Sequence, residues 1–67
     1  MVEIVLNGKK QDVRVGETVE QLIQQLGFDA RWLLAELNGV PLERVQFSSI
    51  ILSPGDRLEL VRPVAGG

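Results

Sequence analysis

The sequence predicts an α+β fold, a mixed sheet of four or five strands packed on one helix. Three observations predict it. Val19, Leu22, Ile23 and Leu26 recur at the spacing of one helical face. The opening residues alternate around Asn7-Gly8, a strong hairpin signal because both positions tolerate positive φ. Residues 33–62 then carry further strand-like runs, punctuated by Asn38-Gly39 and Ser53-Pro54-Gly55-Asp56. A hairpin followed by one amphipathic helix and more strands must lay that helix across one face of the sheet.

Each element has its own justification. Val2, Leu6 and Ile4 share one side of a first strand, and Lys9 to Val15 returns as a second, with Val13 and Val15 inward. Lys9-Lys10 reads as a solvated start to an edge strand, where lysine discourages sheet-to-sheet association. Gly16-Glu17 breaks the alternation. Thr18 is then a helix N-cap, and Gln21 completes a capping box. The helix is expected near 18–26, with Glu20, Gln21, Gln24 and Gln25 facing water. Gly27 suits a left-handed C-cap, with Phe28 folding back on Ile23.

Asp29 to Trp32 is a connector, and Trp32, the sole tryptophan, is expected to be a half-buried anchor. Leu33 to Asn38 reads as a third strand with Leu33, Ala35 and Leu37 inward. That places Leu34 outward, an unexpected position for a leucine. Pro41 to Phe47 reads as a loop with a short helical turn, tucking Val45 and Phe47 under the sheet. Ile50 to Leu52 is expected to be a short strand. Pro54 sets φ at the first corner of the next turn. Arg57 to Arg62 is the last strand, with Leu58 and Leu60 inward. Pro63 donates no ladder hydrogen bond, so the sheet should end near Arg62 and the chain should leave it extended. Wrapped on one helix, this order is the β-grasp arrangement, in which the first and last strands lie parallel in the middle of the sheet. The predicted division is a β-grasp domain over 1–62 and a flexible Gly-Gly tail over 63–67.

Composition narrows the chemistry. Sixty-seven residues make one small domain. Neither cysteine nor histidine is present, which removes thiolate chemistry, disulfides and the commonest general base and metal ligand. A net charge of −2 argues against a nucleic-acid footprint. No apolar run approaches membrane length, and the opening residues are not expected to act as a signal peptide.

The sequence closes on Val64-Ala65-Gly66-Gly67. Two glycines beside a carboxylate form a slender end able to pass through a gap that excludes larger residues. A carboxylate is a poor electrophile and needs activation, typically as an acyl-phosphate-type anhydride. Alone, Gly66-Gly67 also reads as a frayed end or a cloning scar.

Taken together, several segments resemble the ubiquitin-like sulfur carriers, and most closely the small carriers of bacterial thiamin biosynthesis, the ThiS family. These are the Asn-Gly opening hairpin, Gly-Glu-Thr-Val-Glu-Gln-Leu at 16–22, Leu-Asn-Gly at 37–39, Pro-Gly-Asp at 54–56, the Arg-Leu-Glu-Leu-Val strand that follows, and the closing Gly-Gly. Pro63 departs from the pattern, since it cannot donate a hydrogen bond to a partner strand. The resemblance implies a carrier and not an enzyme, working in the cytoplasm. It implies no cofactor on this chain; an adenylating, E1-like partner would use ATP and Mg²⁺. The Gly67 carboxylate would become an acyl-adenylate and then a thiocarboxylate, with Arg62, Val64, Ala65 and Gly66 forming the partner-binding tail. A sulfur donor such as a cysteine desulfurase relay would supply the sulfur, and a thiazole synthase would receive it. Carriers for molybdopterin synthesis, which share fold and tail chemistry, and ubiquitin-like protein modifiers are the neighbouring alternatives. A plain interaction module lending a sheet edge is a further one.

Overall fold

The computed structural model describes residues 1–63. Five strands, β1 (Val2–Leu6), β2 (Lys9–Val13), β3 (Leu34–Leu37), β4 (Val40–Leu42) and β5 (Arg57–Val61), form one sheet in the order β2-β1-β5-β3-β4. β1 and β5 pair in parallel, Val5 beside Arg57 and Leu6 beside Leu58, and the other neighbours are antiparallel. The first and last strands therefore occupy the middle of the sheet, as the β-grasp arrangement requires.

The helix α1 (Val19–Gln25) forms where its capping signals put it. The Thr18 hydroxyl accepts from the Gln21 N–H at 3.1 Å, and the Gln21 side chain accepts from the Thr18 N–H at 2.9 Å. At the other end Gly27 adopts φ +80°. The Phe28 N–H then reaches the Ile23 carbonyl at 3.2 Å and the Gly27 N–H reaches Gln24 at 3.0 Å, a Schellman motif. Val19, Leu22 and Ile23 are buried against Ile4, Val13, Leu58 and Leu60, with Leu6, Leu26 and Leu37 half-buried at the margin.

The structure departs from the sequence reading at five places, each with a local cause. β2 stops at Val13, and Val15 is exposed, because the chain must leave the sheet edge to reach the helix. It does so through Gly16 at φ +83° and a turn closed by the Glu17 N–H on the Arg14 carbonyl. Pro41 lies in a real strand, β4, as an edge residue opposite Glu36. An edge strand needs only alternate N–H groups, so proline is tolerated there.

Ile50 to Leu52 forms no strand, only an isolated bridge between Ile51 and Thr18. The Ile50 and Phe47 carbonyls accept from the Val19 and Glu20 N–H groups, both at 3.0 Å. This segment satisfies the free N–H groups that open α1 instead of extending the sheet. Val45 is exposed while Phe47 is buried, since the helical turn Arg44–Gln46 puts the two on different sides. Trp32 is also exposed, at 65%; Ala30 and Leu33, on either side of it, take the inward places.

Glu17 is the one buried charged residue among the described residues. Its Oε1 accepts from the Gln25 side chain at 3.0 Å, tying the start of α1 to its last turn. Nothing in the sequence pattern marks it as buried.

Candidate functional site

β5 delivers the chain to Arg62 and Pro63, so the position of β5 sets where the tail begins. Each end of β5 is held by the asparagine of an Asn-Gly turn. Asn7 and Asn38 both take positive φ, 49° and 52°. The Asn38 Oδ1 accepts from the Arg57 N–H at 2.9 Å, and its own N–H donates to the Arg57 carbonyl at 2.7 Å. Near the exit end, the Asn7 side-chain amide pairs with both backbone groups of Leu60. The strand that carries the tail is thus fixed at both ends by side chains chosen for their turn geometry.

Around the exit lies an exposed apolar strip. Leu34 and Val61 are cross-strand neighbours on the face away from the helix, and both are more than half exposed, with Trp32 beyond them. Large apolar side chains grouped on one face mark an interaction surface more often than scattered ones do. An open groove of about 640 Å³ runs here between Trp32, Leu34, Arg31, Arg44, Arg62 and Pro63. The Arg62 guanidinium carbon lies 5.6 Å from the Phe28 ring centre, within cation–π range. Phe28 therefore supports Arg62 while its backbone caps α1.

Arg31 is engaged by Asp29. Its Nη2 donates to Oδ2 at 2.7 Å, and Nε reaches both carboxylate oxygens. These side-chain bonds, with the Arg31 backbone N–H, lower the Asp29 pKa to about 2, and the same pair raises that of Arg31. Asp29 also caps the single helical turn Ala30–Trp32, which fixes Trp32 at the groove.

Of the tail residues marked from sequence, Arg62 lies at the exit, and Val64, Ala65, Gly66 and Gly67 fall outside the described residues. The sequence reading missed Arg31, Trp32, Leu34 and Arg44 as a group; the outward Leu34 was the signal available. Among the described residues no cluster of three His, Cys, Asp or Glu could hold a metal ion. None of their helices is long and apolar enough to cross a membrane.

A family model described as the ThiS family matches residues 3–67. The chain belongs to the ThiS family. Among solved structures, the crystal structure of the thiamine biosynthesis protein ThiS from Geobacter metallireducens superposes with a TM-score of 0.84 at 30% identity, covering 98% of this chain and all of that one. The solution structure of a thiamine biosynthesis protein from Geobacter metallireducens gives a TM-score of 0.78 at 32% identity, over 98% of this chain and 88% of that one. A designed protein based on human erythrocytic ubiquitin superposes at 0.53 with 20% identity, over 98% and 94% of the two chains, and shows the ubiquitin-like fold alone. Two thiazole synthases, from Paramagnetospirillum magneticum and Magnetococcus marinus, are each 30% identical over 66 residues. That is 98% of this ThiS-family chain, which spans about a fifth of the length of those relatives.

Proposed function

We propose that this chain is a sulfur carrier for thiamin biosynthesis and that Gly67 is the residue that carries the sulfur. The observation behind this reading is the family match running through Gly67 on a β-grasp domain. An adenylating partner binds ATP and Mg²⁺. The Gly67 carboxylate oxygen attacks the α-phosphorus, pyrophosphate leaves, and an acyl-adenylate results. The terminal sulfur of a persulfide, from a donor such as a cysteine desulfurase relay, then adds to that carbonyl and expels AMP, giving an acyl disulfide. A thiol reductant attacks the donor-side sulfur, leaves as the mixed disulfide with the donor, and frees the thiocarboxylate. Arg62, Val64, Ala65 and Gly66 form the tail that leads Gly67 into the partner's channel. The domain supplies orientation, and the partner supplies the chemistry.

The sulfur acceptor in this reading is a thiazole synthase; similarity to part of two proteins of that name supports it. The carrier acts in the cytoplasm, alongside its nucleotide-using partner. Carriers for molybdopterin synthesis share the tail chemistry, and the thiamine biosynthesis neighbours favour the thiamin assignment.

The test is intact mass after incubation with a purified adenylating enzyme, ATP, Mg²⁺ and sulfide. The expected product has one oxygen replaced by sulfur, with the change confined to the Gly67 carboxylate in fragment spectra. An unchanged mass beside an active enzyme overturns the carrier reading. A stable adduct to lysines of other proteins points instead to a protein modifier.

A further inference from the structure

We propose that the groove at the base of the tail is a docking site for an acidic protein segment with an apolar anchor, supplied by the enzyme that receives the tail. The proposal rests on the reading that such a partner exists, and it names the chemistry of the contact.

The groove has an apolar floor and a cationic rim. Trp32 and Leu34 are 65% and 62% exposed on the floor. Arg31, Arg44 and Arg62 stand around it. The whole chain carries nine acidic and seven basic residues, so gathering three arginines at one groove makes a local positive field on a net negative protein. Asp29 holds Arg31. Among the described residues neither Arg44 nor Arg62 has a carboxylate within salt-bridge distance. Two open guanidiniums beside an exposed indole call for carboxylates flanking an apolar side chain, because arginine pairs with carboxylate in a fixed fork and tryptophan is a frequent interface anchor.

Other occupants fit less well. A small free anion would leave Trp32 and Leu34 uncovered, and an anionic membrane surface is usually read by a larger cluster of basic residues. Pro63 lines the groove and directly precedes the tail. A segment seated here would hold the tail's base while its end enters the partner's site.

Trp32, as the sole tryptophan, reports on its own groove. Two synthetic peptides serve as probes, with identical leucine and phenylalanine positions flanked by glutamates in one and lysines in the other. The glutamate peptide should shift Trp32 emission saturably and weaken as salt is raised. Arg44→Glu should reduce its affinity about tenfold, and Arg44→Gln less, in keeping with an exposed charge contact. Lys10→Glu, at the far edge of the sheet, should change nothing. Equal response to both peptides, response to neither, or an equal loss from Lys10→Glu overturns the proposal.

The second measurement is ATP–pyrophosphate exchange by the adenylating enzyme. Arg44→Glu should raise the KM for the carrier and leave kcat unchanged. Exchange at the parent KM in that variant overturns the docking proposal and leaves the carrier reading standing. No exchange even with the parent overturns the carrier reading, while the peptide titration still decides the chemistry of the groove.

Discussion

Asn7 pairs with Leu60 as though it were one more residue of β1. Its Oδ1 accepts from the Leu60 N–H at 2.8 Å and its Nδ2 donates to the Leu60 carbonyl at 3.3 Å. The Val5 and Asn7 backbone N–H groups take the carbonyls of Asp56 and Leu58, so the side-chain amide makes the next rung of a regular ladder. Asn7→Gly keeps the positive φ the turn needs and deletes that rung. Two hydrogen bonds at about 0.5–1.5 kcal/mol each predict a loss of about 1–3 kcal/mol. Urea unfolding measures it, and a loss near zero would mean that water replaces the amide at no cost.

Leu22 is fully buried beneath the sheet. Leu22→Ala should cost roughly 2–5 kcal/mol, a large share of the stability of a domain this small. A loss under about 0.5 kcal/mol would mean that the helix face is not part of the core.

Glu36 and Glu59 sit directly opposite each other on the exposed face of β3 and β5. Like charges in that position repel. Glu36→Lys should therefore stabilise the protein by roughly 0.2–1 kcal/mol, with the gain shrinking at high salt. A destabilised variant would indicate that Glu36 already has a compensating partner.

Asp29 should titrate near pH 2, below its ordinary 3.8, because the Arg31 side chain and backbone N–H favour the charged form. A carboxyl whose pKa is lowered by folding supports the fold fully above pH 4, and that support fades as pH falls toward 2. Carboxyl carbon shifts followed by NMR check the midpoint. Arg31→Gln should move it back toward the ordinary value; a midpoint unmoved by that change would exclude the Arg31 side chain as its cause.

One alanine added after Gly67, or loss of Gly67, should abolish acyl-adenylate formation without changing thermal unfolding. An extra extended residue displaces the carboxylate by about 3.3–3.6 Å, far outside the tolerance for in-line attack. Gly66→Val should be nearly as damaging, since a β-branched side chain widens the tail. Pyrophosphate exchange at the parent rate in the extended variant would exclude Gly67 as the reacting group.

What the sequence disclosed was whatever is local. The capping box of Thr18 and Gln21, the Gly27 C-cap and the two Asn-Gly turns each need only a few neighbouring residues, and all formed as read. What it hid depends on register and tertiary reach. The Asn7 side chain spans 53 positions to Leu60, and no spacing rule signals such a pairing. Residues 50–52 look like a strand by composition, yet the Ile50 carbonyl, with that of Phe47, serves the start of α1. The groove is hidden for the same reason: Arg31, Arg44 and Arg62 come from three separate segments and meet only when β3 lies beside β5. Only the stranded Leu34 hinted that this face was meant to be covered.

The parallel pairing of β1 with β5 also decides how the molecule bears load. Tension between Val2 and Pro63 runs along two neighbouring strands in opposite directions, so it shears their ladder instead of unzipping it. In shear, the rungs at Asp56, Leu58 and Leu60 must give way together. Forced unfolding follows the height of that barrier and not the equilibrium stability. Asn7→Gly, which removes the last of those rungs, should therefore lower the force the domain withstands when it is pulled between Val2 and Pro63.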